Sequence, residues 1–420
     1  MTIKTFPSAF ILAFLLSQSL PAKAQNYETN NFSVQTFAGS GFYGLLDGEG
    51  IFTMFNYPKA IVVDSATNFF VLDEANNRIR KVSRTGTVST YVGGGQAAPP
   101  GYGTNVYLNG SYNAMAIDRA NNIWLSSGYS YFSASLLKIT PEGLVLPITL
   151  SGISSVYGIC VDSKNNLYFA DGIAHRIYRY LTNGTVEVFV GSGNPGAIDG
   201  NWVFNSFRSP THLAADAADN IYVWDSGNYL IRRVNQNRDV VTIAGNGNSS
   251  PVIDGTGTNT ALSYIQGMTI DSGGNLIFSS GYQGTSIRKM SPAMTVTTIA
   301  GNFNTSGYAN GVGSNALFQV AQGLCVSQGD IYVADSYNHR IRKISMNVAE
   351  QVVSPSNLEL GTYPGVKITG TIGRAYRVES STNLTTWSFE AEFLLATNPQ
   401  LWIDPVSVSG KKFYRAVLRP

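Results

Sequence analysis

Gly323-Leu324-Cys325-Val326-Ser327, Asp330-Ile331-Tyr332-Val333-Ala334-Asp335 and Arg340-Ile341-Arg342-Lys343-Ile344 are three short apolar runs parted by turn residues. Each has the length and bounds of a β-strand. The same order recurs upstream. A first strand closing on Asp is found at residues 60–64, 114–118, 158–162, 212–216 and 267–271. A second strand follows at residues 166–171 and 220–225, and a third at 78–82. A fourth, Val88-Ser89-Thr90-Tyr91-Val92-Gly93, has counterparts at 186–191, 240–245 and 296–301. Four short strands in a unit of roughly 44 to 56 residues make the pattern of a propeller blade.

The last unit lacks its fourth strand, because residues 345–355 carry no such pattern. The missing pattern stands at the other end of the chain as Val34-Gln35-Thr36-Phe37-Ala38-Gly39. The sequence therefore predicts an all-β chain: a six-bladed β-propeller closed by an N-terminal strand, followed by a small β-sandwich. Such closure removes an open sheet edge.

The run Asp335-Ser336-Tyr337-Asn338-His339-Arg340-Ile341-Arg342-Lys343, together with loops reading Asp-Gly-x-Gly, resembles the NHL repeat family of β-propellers. The resemblance extends over roughly residues 32–346. It implies a fold and names no ligand, since one fold hosts many functions. Cys160 and Cys325 hold the same place in the third and sixth repeats. A disulfide needs Cα atoms within about 7 Å, so cysteines in opposed blades are expected to be free and buried.

The expected domains are a signal peptide at 1–24, the propeller at 25–347, a linker at 348–357 and the sandwich at 358–420. Lys4, the apolar run 9–16 and the exit Ala22-Lys23-Ala24 give the secretory signal, and hence an exported protein, extracellular or periplasmic. No later stretch nears the roughly 20 apolar residues of a membrane helix. A net charge of +2 without clustered Lys and Arg argues against a nucleic-acid partner. A monomer is expected. In the C-terminal part, Ala375-Tyr376-Arg377-Val378-Glu379-Ser380 and Phe413-Tyr414-Arg415 are among five or six alternating runs. This part looks like the C-terminal fibronectin-like modules of some exported bacterial proteins.

Chemistry is sparse. There are three histidines. His175 and His339 each precede an Arg at matching repeat positions and read as hairpin residues, whereas His212 opens a first strand and can reach the channel mouth. Propeller lyases of similar architecture bind zinc through histidines from several blades, and a catalytic zinc usually takes three protein ligands. No metal site, cofactor or catalytic residue is therefore predicted. The loops Asp47-Gly48-Glu49-Gly50, Asp199-Gly200 and Asp254-Gly255-Thr256-Gly257, with Asn310-Gly311-Val312-Gly313, each begin 17 residues before the end of the next first strand. One carboxylate apiece is too little for calcium, which takes six to eight oxygens, so they read as turns. The acidic strand ends Asp73, Asp171 and Asp335 are expected to pair with the nearby Arg78, Arg176 and Arg340.

Aromatic residues supply the remaining signal, at 12% of the chain. Trp202, Tyr43, Tyr264 and Tyr308 in the inter-blade loops, with His212, are the predicted ligand-binding residues. Trp202 stands out because the matching loops carry Gly50, Gly257 and Gly313. The function expected is a secreted binding or adhesion protein presenting its loop face to a protein or carbohydrate ligand. The alternative is a propeller enzyme of the lyase or lactonase type. Converging His and carboxylate groups at the channel mouth would favour the enzyme, and a neutral aromatic rim the binding protein.

Overall fold

A computed structural model describes residues 32–108, 112–127, 135–249, 252–281, 285–346, 365–368, 374–383, 385–395, 400–403 and 413–418. The predicted signal peptide and linker lie outside these residues. The chain divides into two compact units, Met1–Met346 and Asn347–Pro420.

In the first unit the described residues form six antiparallel sheets, none of them closed into a barrel. Sheet one consists of Pro58–Val63, Phe69–Asp73, Arg78–Val82 and Thr87–Gly93, hydrogen-bonded in chain order, with the two-residue strand Gly48–Glu49 outside Thr87–Gly93. The first strands of the other sheets are Tyr112–Ile117, Ile159–Val161, Pro210–Ala215, Ile265–Ile270 and Ala321–Ser327. Each first strand lies against the first strands of two neighbouring sheets, in the cyclic order one to six and back to one. In sheet six the strand Phe32–Ala38 runs antiparallel to Arg340–Met346, with Val34 opposite Ile344. Phe32, Val34 and Ala38 are buried there.

The recurring residues have local reasons. Each first strand of sheets one to five is followed by an Asp, whose Oδ1 accepts the backbone N–H four residues on, at 2.7 Å for Asp64–Asn68 and 2.8 Å for Asp162–Asn166. That ties the turn into the second strand, as short acidic side chains do. At the next turn Asn77, His175, Tyr229 and His339 adopt left-handed conformations, with φ of 51°, 57°, 55° and 53°. His175 and His339 each accept a backbone N–H through Nδ1, from Ser209 at 3.1 Å and from Tyr57 at 3.2 Å. The first strands also approach closely. A Cβ on Gly267 would lie 1.6 Å from the Gln322 carbonyl oxygen, and one on Gly323 2.6 Å from the Ala60 Cα.

The acidic strand ends pair differently from expectation. Asp73, Asp225 and Asp335 bind the fully buried Arg80, Arg232 and Arg342, at 2.8, 3.0 and 2.8 Å. The arginine used is the one whose side chain points inward. Arg78 and Arg340, two residues earlier, instead donate to the carbonyls of Asn76 and Asn338. Asp171 is met by Ser154 N and Ser155 Oγ, with Tyr178 standing where Arg80 does. The Asp-Gly loops have a second purpose besides turning: Asp47, Asp199 and Asp254 accept from Arg80, Arg232 and Arg288 at 2.5, 2.6 and 2.8 Å.

Both cysteines are free and buried, and burial pushes their thiols well above the usual range. In the second unit Gly365–Ile368 pairs with Gln400–Ile403, and Ala375–Ser381 runs between Ser388–Leu394 and Phe413–Leu418. Ile368, Tyr376, Val378, Leu395, Tyr414 and Ala416 form its core.

Candidate functional site at the mouth of the central channel

Antiparallel pairing puts the start of every first strand at the same end as the turns holding Asn77, His175, Tyr229 and His339. At that end a cavity of about 700 Å³ opens. Its wall takes one residue from the same register position of each repeat: Lys59, Asn113, Tyr157, Thr211, Gln266 and Gln322. The next position along is small, as Ala60, Ala114, Gly158, Gly267 and Gly323, because the strands crowd together there. His212 is the exception and lines the same cavity. One residue deeper, Ile61, Met115, Ile159, Leu213, Met268 and Leu324 surround a space of only about 60 Å³. The channel is thus a polar bowl over an apolar floor.

Charge in the bowl is nearly cancelled. Lys59 is held by Glu74, Nζ to Oε1 at 2.7 Å. Burial, with a smaller contribution from the positive charge of Lys59, lowers the His212 imidazole to about 4, against a weaker opposing hydrogen bond to the Gln266 backbone. Its Nδ1 sits 3.1 Å from Thr211 Oγ1. No carboxylate is among the lining residues. Among the described residues, no group of three or more His, Cys, Asp or Glu is placed to hold a metal ion. Gln266 donates through Nε2 to the Gly281 carbonyl at 3.2 Å, which leaves Oε1 without a partner. Gln322 Oε1 is likewise buried and unpartnered.

Of the residues read from sequence, His212 alone lines the cavity. Tyr43 and Tyr264 lie at the same end, each in the segment leading into a first strand. Tyr43 is 75% exposed, with its ring 6.0 Å from that of His339. Tyr264 meets Tyr229 edge-on at 6.0 Å. Tyr308 is 43% exposed; its hydroxyl meets Thr36 at 2.9 Å, and Arg340 and Arg342 lie 3.8 and 4.8 Å from its ring. Trp202 belongs elsewhere. Gly200 pairs with Val240, the first residue of a fourth strand, which begins at the opposite end of the sheet. There the Trp202 ring stands 5.9 Å from the Arg238 guanidinium.

Nor does Trp202 take the left-handed conformation of Gly50, Gly257 and Gly313, whose φ values are 46°, 58° and 55°. Residues 201–205 make their own turn, with Phe204 N and Asn205 N both donating to the Asn201 carbonyl. The indole therefore carries no backbone strain. The polar ring is hard to see in the sequence because its members share a position and no residue type. Each member stands five residues before the end of its first-strand motif, Asp in five repeats and Ser327 in the sixth.

Residues 318–344 match the NHL repeat model. Human NHL repeat-containing protein 2 is 24% identical over 345 residues, covering 77% of this chain and 44% of its own. The chain thus spans less than half the length of that relative. Among solved structures, an auxiliary nutrient binding protein from Bacteroides thetaiotaomicron aligns at 18% identity and TM-score 0.60, over 75% of this chain and 76% of its own. One from Bacteroides ovatus aligns at 17% identity and TM-score 0.59, over 75% and 77%. These neighbours are β-propellers, and the likeness is one of fold.

Proposed function

We propose that this chain is an exported binding protein whose ligand sits at the mouth of a six-bladed β-propeller. In this reading the strand Phe32–Ala38 closes the ring by completing sheet six, residues 25–347 form the propeller, and residues 358–420 form a fibronectin-like sandwich that spaces or attaches it. The cyclic contacts of the first strands and the pairing of Val34 with Ile344 support the ring. The observation that carries the function is the bowl itself: each of the six repeats contributes a side chain to one cavity, and the only charged member of that ring is already paired. Pockets of roughly 300–1,000 Å³ with a few convergent polar groups are the usual form of ligand sites. An acid–base enzyme needs a group that titrates near its working pH, and His212 is neutral across that range.

The test is ligand capture by the purified protein from glycan and peptide arrays, followed by titration of two variants. Tyr157→Ala should weaken binding at least about tenfold, or roughly 1.4 kcal/mol, with unfolding little changed. Trp202→Ala should leave affinity as it was. The reverse pattern would move the site to the outer loops.

A further inference from the structure

Resting on that reading, we infer that the bowl takes a neutral oligosaccharide, its terminal ring in the cavity and its chain leaving over Tyr337 and Tyr57, between sheets six and one. Three features converge on this class. The first is hydrogen-bonding balance. Gln266 and Gln322 line the bowl with side-chain amides, groups that carry both donors and an acceptor. Asn113, Thr211 and Tyr157 add groups that both donate and accept. A sugar ring presents hydroxyls in several directions at once, each able to donate and accept, which suits a wall of amides and hydroxyls set around a circle.

The second feature is charge. With Lys59 bound to Glu74 at 2.7 Å, the cavity offers an anion no unpaired cation and offers a cation no carboxylate. A uronic acid, a sulfated glycan or a charged peptide would be desolvated here without compensation. The third is the line of aromatic rings leading out of the cavity. Tyr337 lines the bowl and is 49% exposed. Tyr57 meets it edge-on at 5.1 Å and is 38% exposed. His339 lies 4.8 Å from Tyr57, and Tyr43 beyond it. Aromatic faces are large apolar surfaces with a polar tip, suited to the C–H faces of successive pyranose rings.

The experiment uses the full chain against neutral, uronic-acid-containing and sulfated oligosaccharides and a peptide array, with calorimetry on any member captured. Expected is capture of neutral glycans, at least tenfold weaker for Gln266→Leu and for Gln322→Leu, with thermal unfolding unchanged. Tyr337→Ala should cost a tetrasaccharide more affinity than a disaccharide. If a leucine variant fails to fold, the Gln→Met variant keeps the side-chain length, removes the amide and should weaken the same ligand. Capture of peptide or acidic glycan instead, still lost in Gln322→Leu, would overturn the sugar assignment and leave the cavity as a binding site. Neutral glycan bound equally by wild type and both glutamine variants would remove the ligand from the cavity, and the proposed function with it. Failure to capture any array member would overturn both.

Discussion

Arg80 Nη1 lies 2.8 Å from an Asp73 carboxylate oxygen, and neither side chain is exposed. The same pair recurs as Arg232 with Asp225 and Arg342 with Asp335. Burying two charges is expensive, and a pair is retained only when its remaining protons and lone pairs are also met. Here Arg80 further donates to the Met54 and Leu46 carbonyls, and Asp73 accepts from Asn56 N and Asn76 Nδ2. Each arginine thereby ties the loop entering its sheet to the hairpin in the sheet's middle, and the repeat of this clamp accounts for the repeat of the motif.

Sheet five tests the clamp, because Ser280 stands at the strand end where Asp73 stands in sheet one, and among the described residues Asp254 is the one carboxylate in an ion pair with Arg288. Asp254→Ala leaves a buried guanidinium without that ion pair, a situation that typically costs about 3–5 kcal/mol. Asp47→Ala leaves Arg80 still paired with Asp73 and should cost about 1 kcal/mol, in the range of a partly exposed pair. Urea unfolding of the two variants checks the order. Equal losses would show that the inner carboxylate adds nothing.

Much of the fold is legible in the sequence, because its devices are local and repeat. The Asp closing the first strand of sheets one to five and the inward arginine of sheets one, four, five and six are visible as recurring letters. The bowl is not, because its chemistry comes from Lys59, Asn113, Tyr157, Thr211, Gln266 and Gln322, six residues without a common type that only the ring brings together. Trp202 presents the converse case. It breaks a local pattern, and the structure meets that break with a local change of turn far from the cavity. His212 is legible, since it opens a first strand and so can reach the channel mouth.

The strand Phe32–Ala38 buries Phe32 and Val34 beside Ile331, Val333 and Ile344. Deleting residues 26–39 should expose the edge of Arg340–Met346 and uncover that core, giving aggregation or a loss of several kcal/mol, since each large buried side chain contributes about 2–5 kcal/mol. Light scattering and a melting curve read the result. A soluble protein with an unchanged melting curve would mean that the segment closes nothing.

Cys160 and Cys325 should both be counted as thiols by mass spectrometry after blocking in denaturant, and neither should react in the native protein within the time that an exposed thiol takes. Burial suppresses the thiolate, which is the reactive form. Detection of a Cys160–Cys325 crosslink would bring two opposed first strands together and contradict the cyclic order of the sheets.

His212 gives the fold a pH dependence of known sign. Its folded value of about 4 lies below the ordinary 6.5, so between those limits the unfolded chain takes up a proton that the native chain refuses. Stability should therefore rise with pH from about 4 to 6.5 and be level above it, by an amount on the order of 2 kcal/mol after allowance for partial exposure. Asp225 works in the opposite sense: burial, against the Asn228, Arg208 and Arg232 contacts, raises it to about 6, so its ionisation between 3.8 and 6 weakens the native state. Comparing wild type with His212→Gln cancels that background. Urea unfolding of both at pH 4.5 and 7.5 should show a smaller loss on acidification in the variant, and the bowl's ligand affinity in the wild type should stay flat from pH 5.5 to 8. Identical losses in the two proteins would show that the imidazole is protonated in the native state, and the bowl would then carry a positive charge that favours an acidic ligand over a neutral one.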